Sequence, residues 1–345
     1  MNTKKRFTRH ITFLLAFALT LSACGISAHA AATAPAARIP AQAVQTQPSE
    51  MRGVWFSYRD WQKYLKGKNA AQFDAAFTQI CDNIKLHGCN TIFLHVRSHN
   101  DAVYPSAIYP WSTEMLNGNP GFDPLKKAVT IAHARGLQLH AWINPHGYRN
   151  GVFAGDATLV TPQNILAGID EILTGYAVDG IHFDDYFPPF GKDYHNALIR
   201  MVYETVHAHG KVFGISPQGN LDNNRAAGVD IDTWLSQKGY VDYLCPQIYW
   251  TNQYGKKGTT TMYNNCLVLW NALNTAGITM YVGLASYRAG YSFSYDPGWA
   301  KKNTNLLEQA HIARLFHWNG YILFSYDSMN DPKAAAEYAN LLTLP

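Results

Sequence analysis

The sequence has few cysteines and none of the short motifs typical of metal, nucleotide or serine chemistry. Its 345 residues include five cysteines, without a tight CxxC pair, and its 14 histidines are not spaced as a ligand set. HExxH, GxSxG, Walker and GxGxxG patterns do not occur. We therefore expect no metal and no cofactor, and the absences argue against metalloproteases, serine hydrolases and nucleotide-dependent enzymes.

The chain also lacks a strong excess of charge of either sign. The formal net charge is +4, and part of it comes from Lys4, Lys5, Arg6 and Arg9 at the N-terminus. Without that segment the remainder is close to neutral, so neither a nucleic acid nor a strongly acidic ligand is required by the overall charge.

No apolar run is long enough to cross a bilayer comfortably. The apolar stretch 11–21 follows the basic start, and Leu-Ser-Ala-Cys-Gly at 21–25 is similar to a bacterial lipoprotein signal. We predict a signal peptide at residues 1–23, lipidation of Cys24 and attachment to the outside of the cell membrane. The alternative is cleavage after Ala28-His29-Ala30, which would give a secreted protein. Either way, the protein works outside the cytoplasm.

Residues 24–50 contain mainly Ala, Pro, Gln and Thr and almost no large apolar side chains. Such a segment cannot bury enough surface to fold, so we predict a flexible tether and a single folded domain at 51–345. That length suits one barrel domain.

The cysteines of the folded domain are Cys81, Cys89, Cys245 and Cys266. Export permits a disulfide, with Cys81 and Cys89 nearest in sequence, but buried free thiols are an equal alternative.

Short β-branched and aromatic runs alternate with helical patterns along the domain, which predicts a parallel sheet with crossover helices. We predict eight strands, at 53–57, 91–97, 137–143, 180–184, 212–216, 242–249, 279–284 and 321–326. Asp123-Pro124 and Thr161-Pro162 are typical of helix starts, and further helices are predicted near 194–209, 231–238, 260–276, 298–315 and 332–343. The pattern indicates an α/β fold consisting of a single (β/α)8 TIM barrel.

In such barrels functional residues lie at the carboxyl ends of the strands. The fourth strand ends in the run 179–189, DGIHFDDYFPP, with two adjacent carboxylates, Asp184 and Asp185. Burying charge there is unfavourable unless something binds it. Alternation along the strand predicts that His182, Asp184 and Tyr186 face the barrel axis while Asp185 points aside, so Asp184 is the best candidate for a catalytic carboxylate. The alternative is that the pair only caps the following loop or binds an Arg.

The other strand ends are rich in polar and aromatic residues. A sugar needs both kinds, because its hydroxyls need hydrogen-bonding partners and its apolar faces stack on rings. Arg97 could hold a carboxylate in a bidentate pair, or could serve only structure. The candidates at these ends are Arg97, His99, Asp101, His140, Trp142, Asn144, His146, Gln218, Gln247, Tyr249, Trp250 and Asp327.

Several ordered motifs together resemble the bacterial glycosyl-hydrolase-10-like family. They are RGVWFS at 52–57, VRSHNDAVYPS at 96–106, PWS at 110–112, AWINPHGYR at 141–149, VDGIHFDDYFPP at 178–189, GISPQGN at 214–220, YVDYLCPQIYW at 240–250, YVGLASY at 281–287 and LFSYD at 323–327. The resemblance implies a (β/α)8 barrel, often a lipoprotein, that acts on extracellular or cell-wall glycans, with peptidoglycan glycan strands among the substrates.

The fourth strand is also similar to two wider groups of sugar-cleaving barrels. In the α-amylase class the second Asp of an Asp-Gly-x-x-x-Asp register is the nucleophile, and this implies that role for Asp184. In chitinases the acid Glu would stand where this chain has Tyr186, so a chitinase-like route is disfavoured. Gln218 stands where the parent family often has Phe.

Hydrolysis of a glycosidic bond normally requires two carboxyl groups. We hypothesise that Asp184 is the nucleophile or base and that Asp185 or Asp327 supplies the acid, with Asp101 and Asp222 as further contenders. The predicted substrate-binding residues are Arg97, His99, Asp101, Trp142, Asn144, His182, Tyr186, Gln218, Gln247, Tyr249 and Trp250. We expect a monomer whose partners are a polysaccharide or peptidoglycan glycan and, through the lipid, the membrane. The alternative is a non-catalytic glycan-binding lipoprotein on a degenerate barrel.

Overall fold

The computed structural model describes residues 50–149 and 151–345. The predicted signal peptide, Cys24 and almost all of the predicted tether lie outside these residues. Within them, no helix has the length and apolar character needed to cross a membrane. The four cysteines of the described domain are buried free thiols.

Parallel strands alternate with helices along the whole described chain. We number the barrel strands β1 Met51–Phe56, β2 Thr91–Arg97, β3 Gln138–Ile143, β4 Gly180–Phe183, β5 Val212–Ile215, β6 Tyr243–Leu244, β7 in two pieces, Thr279–Met280 and Val282–Leu284, and β8 Gly320–Phe324. A short antiparallel hairpin, Tyr148–Arg149 with Val152–Phe153, follows β3. The prediction of an α/β barrel is confirmed.

The strands are joined in the order β8, β1, β2, β3, β4, β5, β6, β7, and every pairing in this sheet is parallel. The first piece of β7 pairs with β6 and its second piece pairs with β8. The two pieces of β7 therefore close the ring.

A helix or pair of helices follows each strand. The main helices are Ala70–Leu86, Pro124–Ala134, Pro162–Gly175, Lys192–Ala208, Ile231–Ser236, Met262–Leu273, Asn305–Leu315 and Ala335–Leu341. Shorter segments at Tyr58–Asp60, Trp61–Leu65, Leu221–Ala226 and Gly298–Lys301 belong to the connecting loops. Asp123 and Thr161 accept hydrogen bonds from Lys126 N and Asn164 N, which are the N-caps that the Asp-Pro and Thr-Pro pairs predicted.

One apolar cluster packs against each face of the sheet. The larger fills the space between sheet and helices. The smaller lies inside the barrel and contains Trp55, Phe93, Trp142, Tyr243 and Ile322. Large rings occupy the inside of the barrel, and in this fold the space for a ligand lies at the carboxyl ends of the strands.

Candidate active site

A cleft of about 730 Å³ opens at the carboxyl ends of the strands. One side, formed by the ends of β2, β3 and β4 and the hairpin, contributes His95, Trp142, Asn144, Arg149, Asp184 and Tyr186. The other side, formed by the ends of β6, β7 and β8, contributes Gln247, Tyr249, Tyr287, Tyr291, Phe293, Phe324 and Asp327. Aromatic rings and carboxylates therefore face one open space, as the binding of a sugar requires.

Asp184 lies in the cleft wall directly after β4 and is only 6% exposed. Its Oδ1 accepts a hydrogen bond from Asp185 N at 2.8 Å and one from Gln247 Nε2 at 3.1 Å. Burial, with the neighbouring Asp185 carboxylate adding repulsion, raises the pKa of Asp184 well above its usual range. Asp184 makes no ion pair within the described part of the chain.

Asp185 is partly buried and is not part of the cleft lining. Burial also raises the pKa of its carboxyl, while the hydrogen bond with Asp184 acts in the opposite direction. The two neighbouring carboxyl groups both have a raised pKa, so a proton on this pair is favoured. The expectation that Asp185 points aside matches its position.

Gln247 links Asp184 to the neighbouring strands. Its Nε2 also donates to Ser216 O at 2.9 Å, and its backbone forms isolated bridges with Gln218 and Gly283. The side-chain amide is held by these contacts, so it fixes the orientation of the Asp184 carboxyl.

Asp327 follows β8 and lies on the opposite side of the barrel from β4. Its Oδ1 accepts hydrogen bonds from Lys63 Nζ and Tyr64 Oη, each at 2.5 Å. Its backbone N–H donates to Asp60 Oδ1 at 2.9 Å. The hydrogen bonds from Lys63 and Tyr64 fix the position of this carboxyl group in the cleft lining.

Three further residues predicted to bind the sugar line the cleft. A fourth, His182, was predicted to face the barrel axis and lies below the cleft, inside the barrel. Trp142, Asn144 and Tyr249 line the cleft with Tyr186 and Gln247. His182 faces the axis but is fully buried inside the barrel, where its Nε2 accepts a hydrogen bond from Trp55 Nε1 at 3.1 Å. Its Nδ1 therefore carries the hydrogen and donates to Tyr243 Oη at 3.0 Å. Both contacts lie inside the barrel, so this imidazole stabilises the barrel interior and does not line the cleft.

Arg97 lies outside the cleft. The register between β2 and β3 shifts between His95 and Arg97, so alternation along β2 is interrupted there. His95 faces the cleft, whereas the guanidinium of Arg97 packs at 3.5 Å over the ring of Tyr109 and close to Gly168 in the helix that follows β3. This placement does not support the sugar-binding role predicted for Arg97.

His99, Asp101, Gln218 and Trp250 are likewise not part of the cleft lining. His99 Nδ1 lies 3.0 Å from a Glu114 carboxylate oxygen, and its backbone N–H donates to Asp101 Oδ1 at 3.3 Å. Gln218 contributes a backbone bridge, and Trp250 accepts a hydrogen bond from Gln309 at its carbonyl oxygen. These residues support loops behind the cleft.

Several cleft residues from the connecting loops and from β2 were not predicted from the sequence. Asp60 lines the cleft from the helical turn after β1, and Tyr287, Tyr291 and Phe293 come from the loop after β7. His95 could have been found by extending the alternation of β2 backwards from its end. No sequence signal marks Asp60, because it lies several residues beyond the strand.

No group of three or more His, Cys, Asp or Glu side chains is placed to hold a metal ion in residues 50–149 and 151–345. The chemistry available in the cleft is that of paired carboxyl groups, hydrogen-bonding polar groups and aromatic rings. An eight-stranded barrel with such a cleft at its strand ends is the architecture of a glycoside hydrolase.

The chain belongs to the glycosyl hydrolase-like 10 family, whose sequence profile matches residues 50–158 and 192–301. It is 27% identical to the glycosyl hydrolase YngK of Bacillus subtilis (strain 168) over 371 aligned positions, which cover 85% of this chain and 71% of that protein. It is 26% identical to the glycosyl hydrolase DigH of Escherichia coli (strain K12) over 428 positions, covering 96% of this chain and 95% of that protein.

Solved structures of other glycosidases share the fold. The endo-1,4-beta-mannanase of Rhizomucor miehei superposes with a TM-score of 0.58 at 13% identity, covering 86% of this chain and 94% of that chain. A chitinase of Chromobacterium violaceum superposes with a TM-score of 0.55 at 13% identity, covering 85% and 99%. At these identities the likeness concerns the barrel alone. The family predicted from the sequence motifs is confirmed.

Proposed function

We propose that the protein hydrolyses O-glycosidic bonds of a cell-wall or extracellular polysaccharide in this cleft, with Asp184 as the general acid. The observation that carries the proposal is the position of Asp184, a buried carboxyl of raised pKa in the wall of an aromatic cleft. A general acid must be protonated near the working pH, and burial beside a second carboxyl produces this state.

This role differs from the nucleophile or base role that the α-amylase resemblance implied. A nucleophile or base must be ionised, whereas the raised pKa of Asp184 favours its protonated form. Asp185 does not line the cleft, and repulsion between its carboxyl group and that of Asp184 adds to burial in raising the pKa of Asp184. In this account Asp185 is a positioning residue.

The second carboxyl in the proposed mechanism is Asp327. It lines the cleft from the β8 side, opposite Asp184, and hydrogen bonds from Lys63 and Tyr64 hold its carboxyl group in place. Asp60 is a weaker candidate, because its two oxygens already accept hydrogen bonds from Ser57 and from Asp327 N.

The aromatic residues on the β6 to β8 side would provide the sugar-stacking surface. The rings of Tyr249 and Phe324 lie 6.1 Å apart at an interplanar angle of 29°. Tyr287 and Tyr291 also line the cleft and are 40% and 37% exposed, so part of each side chain is accessible to a ligand. A glycan chain lying along these rings would place one of its linkages between Asp184 and Asp327.

The proposed location is outside the cytoplasm, with the protein held on the membrane by a lipid at Cys24. The support for it is the signal-like start of the sequence and the small residues before this cysteine. The glycan would then be one that reaches the cell envelope, and the glycan strands of peptidoglycan are the first substrate to examine.

A panel of glycans tests the proposed activity. The purified domain is incubated with peptide-free peptidoglycan strands, chitin, mannan, cellulose and acidic polysaccharides, and the products are identified by mass spectrometry. We expect new reducing ends from at least one of them. Tight binding of a glycan without release of any product would instead favour the alternative of a non-catalytic glycan-binding protein.

A further inference from the structure

Arg149, in the hairpin after β3, places a cationic group in the wall of the cleft. Its guanidinium lies 4.3 Å from the ring centre of Tyr58 and 5.8 Å from that of Tyr186. The side chain is partly buried, and its Nε is inaccessible to solvent and has no hydrogen-bonding partner among the described residues. Contacts with the two tyrosines favour the charged form of Arg149, and its Nε remains a donor without a partner.

The other cations of the cleft have partners or lie in solvent. Lys63 forms an ion pair with Asp327, and Arg59 is exposed and donates from Nε to Tyr58 Oη at 3.0 Å. Within residues 50–149 and 151–345, no carboxylate lies within salt-bridge distance of Arg149. A partly buried guanidinium without a counter-charge is unfavourable unless a ligand supplies one.

Unpartnered polar atoms surround the same wall. His95, Trp142 and Asn144 are each at least nine-tenths buried and line the cleft. Both ring nitrogens of His95, Nε1 of Trp142 and Oδ1 of Asn144 have no hydrogen-bonding partner in the described part of the chain. His95 stacks on Trp142 with ring centres 3.8 Å apart, so its ring cannot turn towards other partners.

These atoms offer both donors and an acceptor within one region of the cleft. A buried polar atom without a partner is unfavourable, and such atoms in a binding site are normally satisfied by the ligand. Hydroxyl groups of a sugar can donate and accept, so one sugar ring could satisfy several of them. The unpartnered atoms of His95, Trp142 and Asn144 can be satisfied by a neutral ligand. Arg149 is the residue of this wall that calls for a negatively charged one.

We propose that the wall formed by His95, Trp142, Asn144 and Arg149 binds a sugar unit that carries a carboxylate, with Arg149 as the residue that recognises the carboxylate. This inference rests on the proposed function for the polymer in the cleft and adds the chemical class of one of its units. The planar guanidinium suits a carboxylate because two parallel N–H donors can bind its two oxygens. The nearly neutral overall charge of the domain is compatible with an acidic ligand, because the recognition depends on the single charge of Arg149.

Paired glycans that differ only in their carboxylates test the inference. Peptide-free peptidoglycan strands and polygalacturonate oligomers are each compared with the same material after chemical reduction of the carboxyl groups to alcohols. Binding is measured by calorimetry on the Asp184→Asn protein, which prevents turnover. At least one acidic glycan should bind about tenfold or more tightly than its reduced form, as expected for a charge-assisted hydrogen-bonded pair.

Arg149→Met in the same background should bring the affinity for the acidic glycan to within about twofold of that for the reduced glycan, and leave the latter unchanged. Arg149→Lys, which keeps the charge but not the fork of donors, should give an intermediate preference. Arg59→Met is the matched control: it removes an exposed arginine from the same cleft, and the preference for the acidic glycan should persist.

The absence of any preference for an acidic glycan in both pairs overturns the inference. Equal weakening of acidic and reduced glycans by Arg149→Met also overturns it, because Arg149 would then support only the shape of the wall. If the acidic preference is found but the active protein releases no product from the preferred glycan, the inference stands and the proposed hydrolysis of that glycan fails.

Discussion

At the scale of single residues, the buried carboxyl of Asp60 connects two loops of the cleft. It is 1% exposed and accepts hydrogen bonds from Ser57 N at 2.7 Å, Ser57 Oγ at 2.6 Å and Asp327 N at 2.9 Å. The first two contacts belong to the turn after β1, and the third belongs to the loop after β8. Asp60 therefore positions the backbone of Asp327.

The titration of Asp60 predicts a pH-dependent contribution to stability. Burial raises the pKa of its carboxyl from 3.8 to about 6, despite the hydrogen bonds from Ser57 and Asp327. The folded state therefore holds the proton more tightly than the unfolded state. The resulting stabilisation is complete below about pH 4 and is lost as the pH rises to about 6, with an upper limit of about 3 kcal/mol.

Urea unfolding of the wild type and of Asp60→Asn at pH 4 and pH 7 measures this contribution. The asparagine does not titrate, so the excess in free energy of unfolding of the wild type over the variant should be larger at pH 4 than at pH 7. A difference between the two proteins that does not change with pH would show that Asp60 titrates normally in the folded state.

The sequence predicts which residues of a strand face the cleft only where the strand is regular. β4 follows simple alternation, so Asp184 and Tyr186 were placed in the cleft from the sequence alone. β2 contains a register shift, so Arg97 faces the helices, and His95, which was not predicted as a site residue, faces the cleft. A bulge leaves no clear mark in the sequence, since it depends on how two strands pair.

At the scale of secondary-structure elements, the contact between β5 and β6 depends on a glycine. A Cβ atom on Gly214 would lie 2.1 Å from the ring of Tyr243. Tyr243 Oη is hydrogen bonded to the ring nitrogens of His140 and His182 inside the barrel, so this ring has little freedom to move.

Gly214→Ala should therefore destabilise the domain by about 2 kcal/mol or more, because the ring or the strand must shift. Gly175→Ala is the control, since a Cβ atom there meets no other atom within 4 Å and the residue ends a helix. Thermal unfolding of both variants measures the effect. Equal melting temperatures for the two would contradict the close approach of β5 and β6.

The ends of the elements were predicted less well than their existence. The sequence predicted one strand at 242–249, whereas β6 is only Tyr243–Leu244. Pro246 has no N–H for a regular ladder, and Gln247 then pairs with its neighbours only through isolated bridges. β7 is interrupted at Tyr281 and the helix predicted at 298–315 is divided in two, again without a sequence signal strong enough to predict it.

At the scale of the whole molecule, eight repeats of strand and helix made the barrel predictable. Each strand is short and apolar because both faces of a parallel sheet are covered, and this pattern recurs in the sequence eight times. The cleft was predictable only in part. Nearly half of the residues in its wall come from the loops after β1, β3 and β7, whose paths depend on contacts distant in sequence.

The placement of the molecule in the cell is a separate prediction that concerns residues outside the described domain. If Cys24 carries the lipid, full-length protein should sediment with membranes and be released by detergent, and Cys24→Ala should move it to the soluble extracytoplasmic fraction. Western blotting of the cell fractions measures this. Cleavage near Ala30 instead would leave the wild type and the variant equally soluble.

The central claim is that Asp184 protonates the leaving group of a glycan bound in the cleft. Asn at this position keeps an oxygen that can accept the hydrogen bonds from Asp185 N and Gln247, so the fold should be retained. Asp222, whose side chain is 90% exposed, provides Asp222→Asn as a control without expected effect.

The decisive measurement is kcat/KM for wild type, Asp184→Asn and Asp222→Asn on two substrates: the glycan found by the panel, and a dinitrophenyl glycoside of the same sugar, which needs no proton on its leaving group. On the glycan, we predict that the measured value for Asp184→Asn falls about 100-fold or more below that of the wild type. On the dinitrophenyl glycoside, it should stay within about tenfold of the wild type. Full turnover of the glycan by Asp184→Asn, or an equal loss on both substrates, would contradict the assignment of Asp184 as the acid.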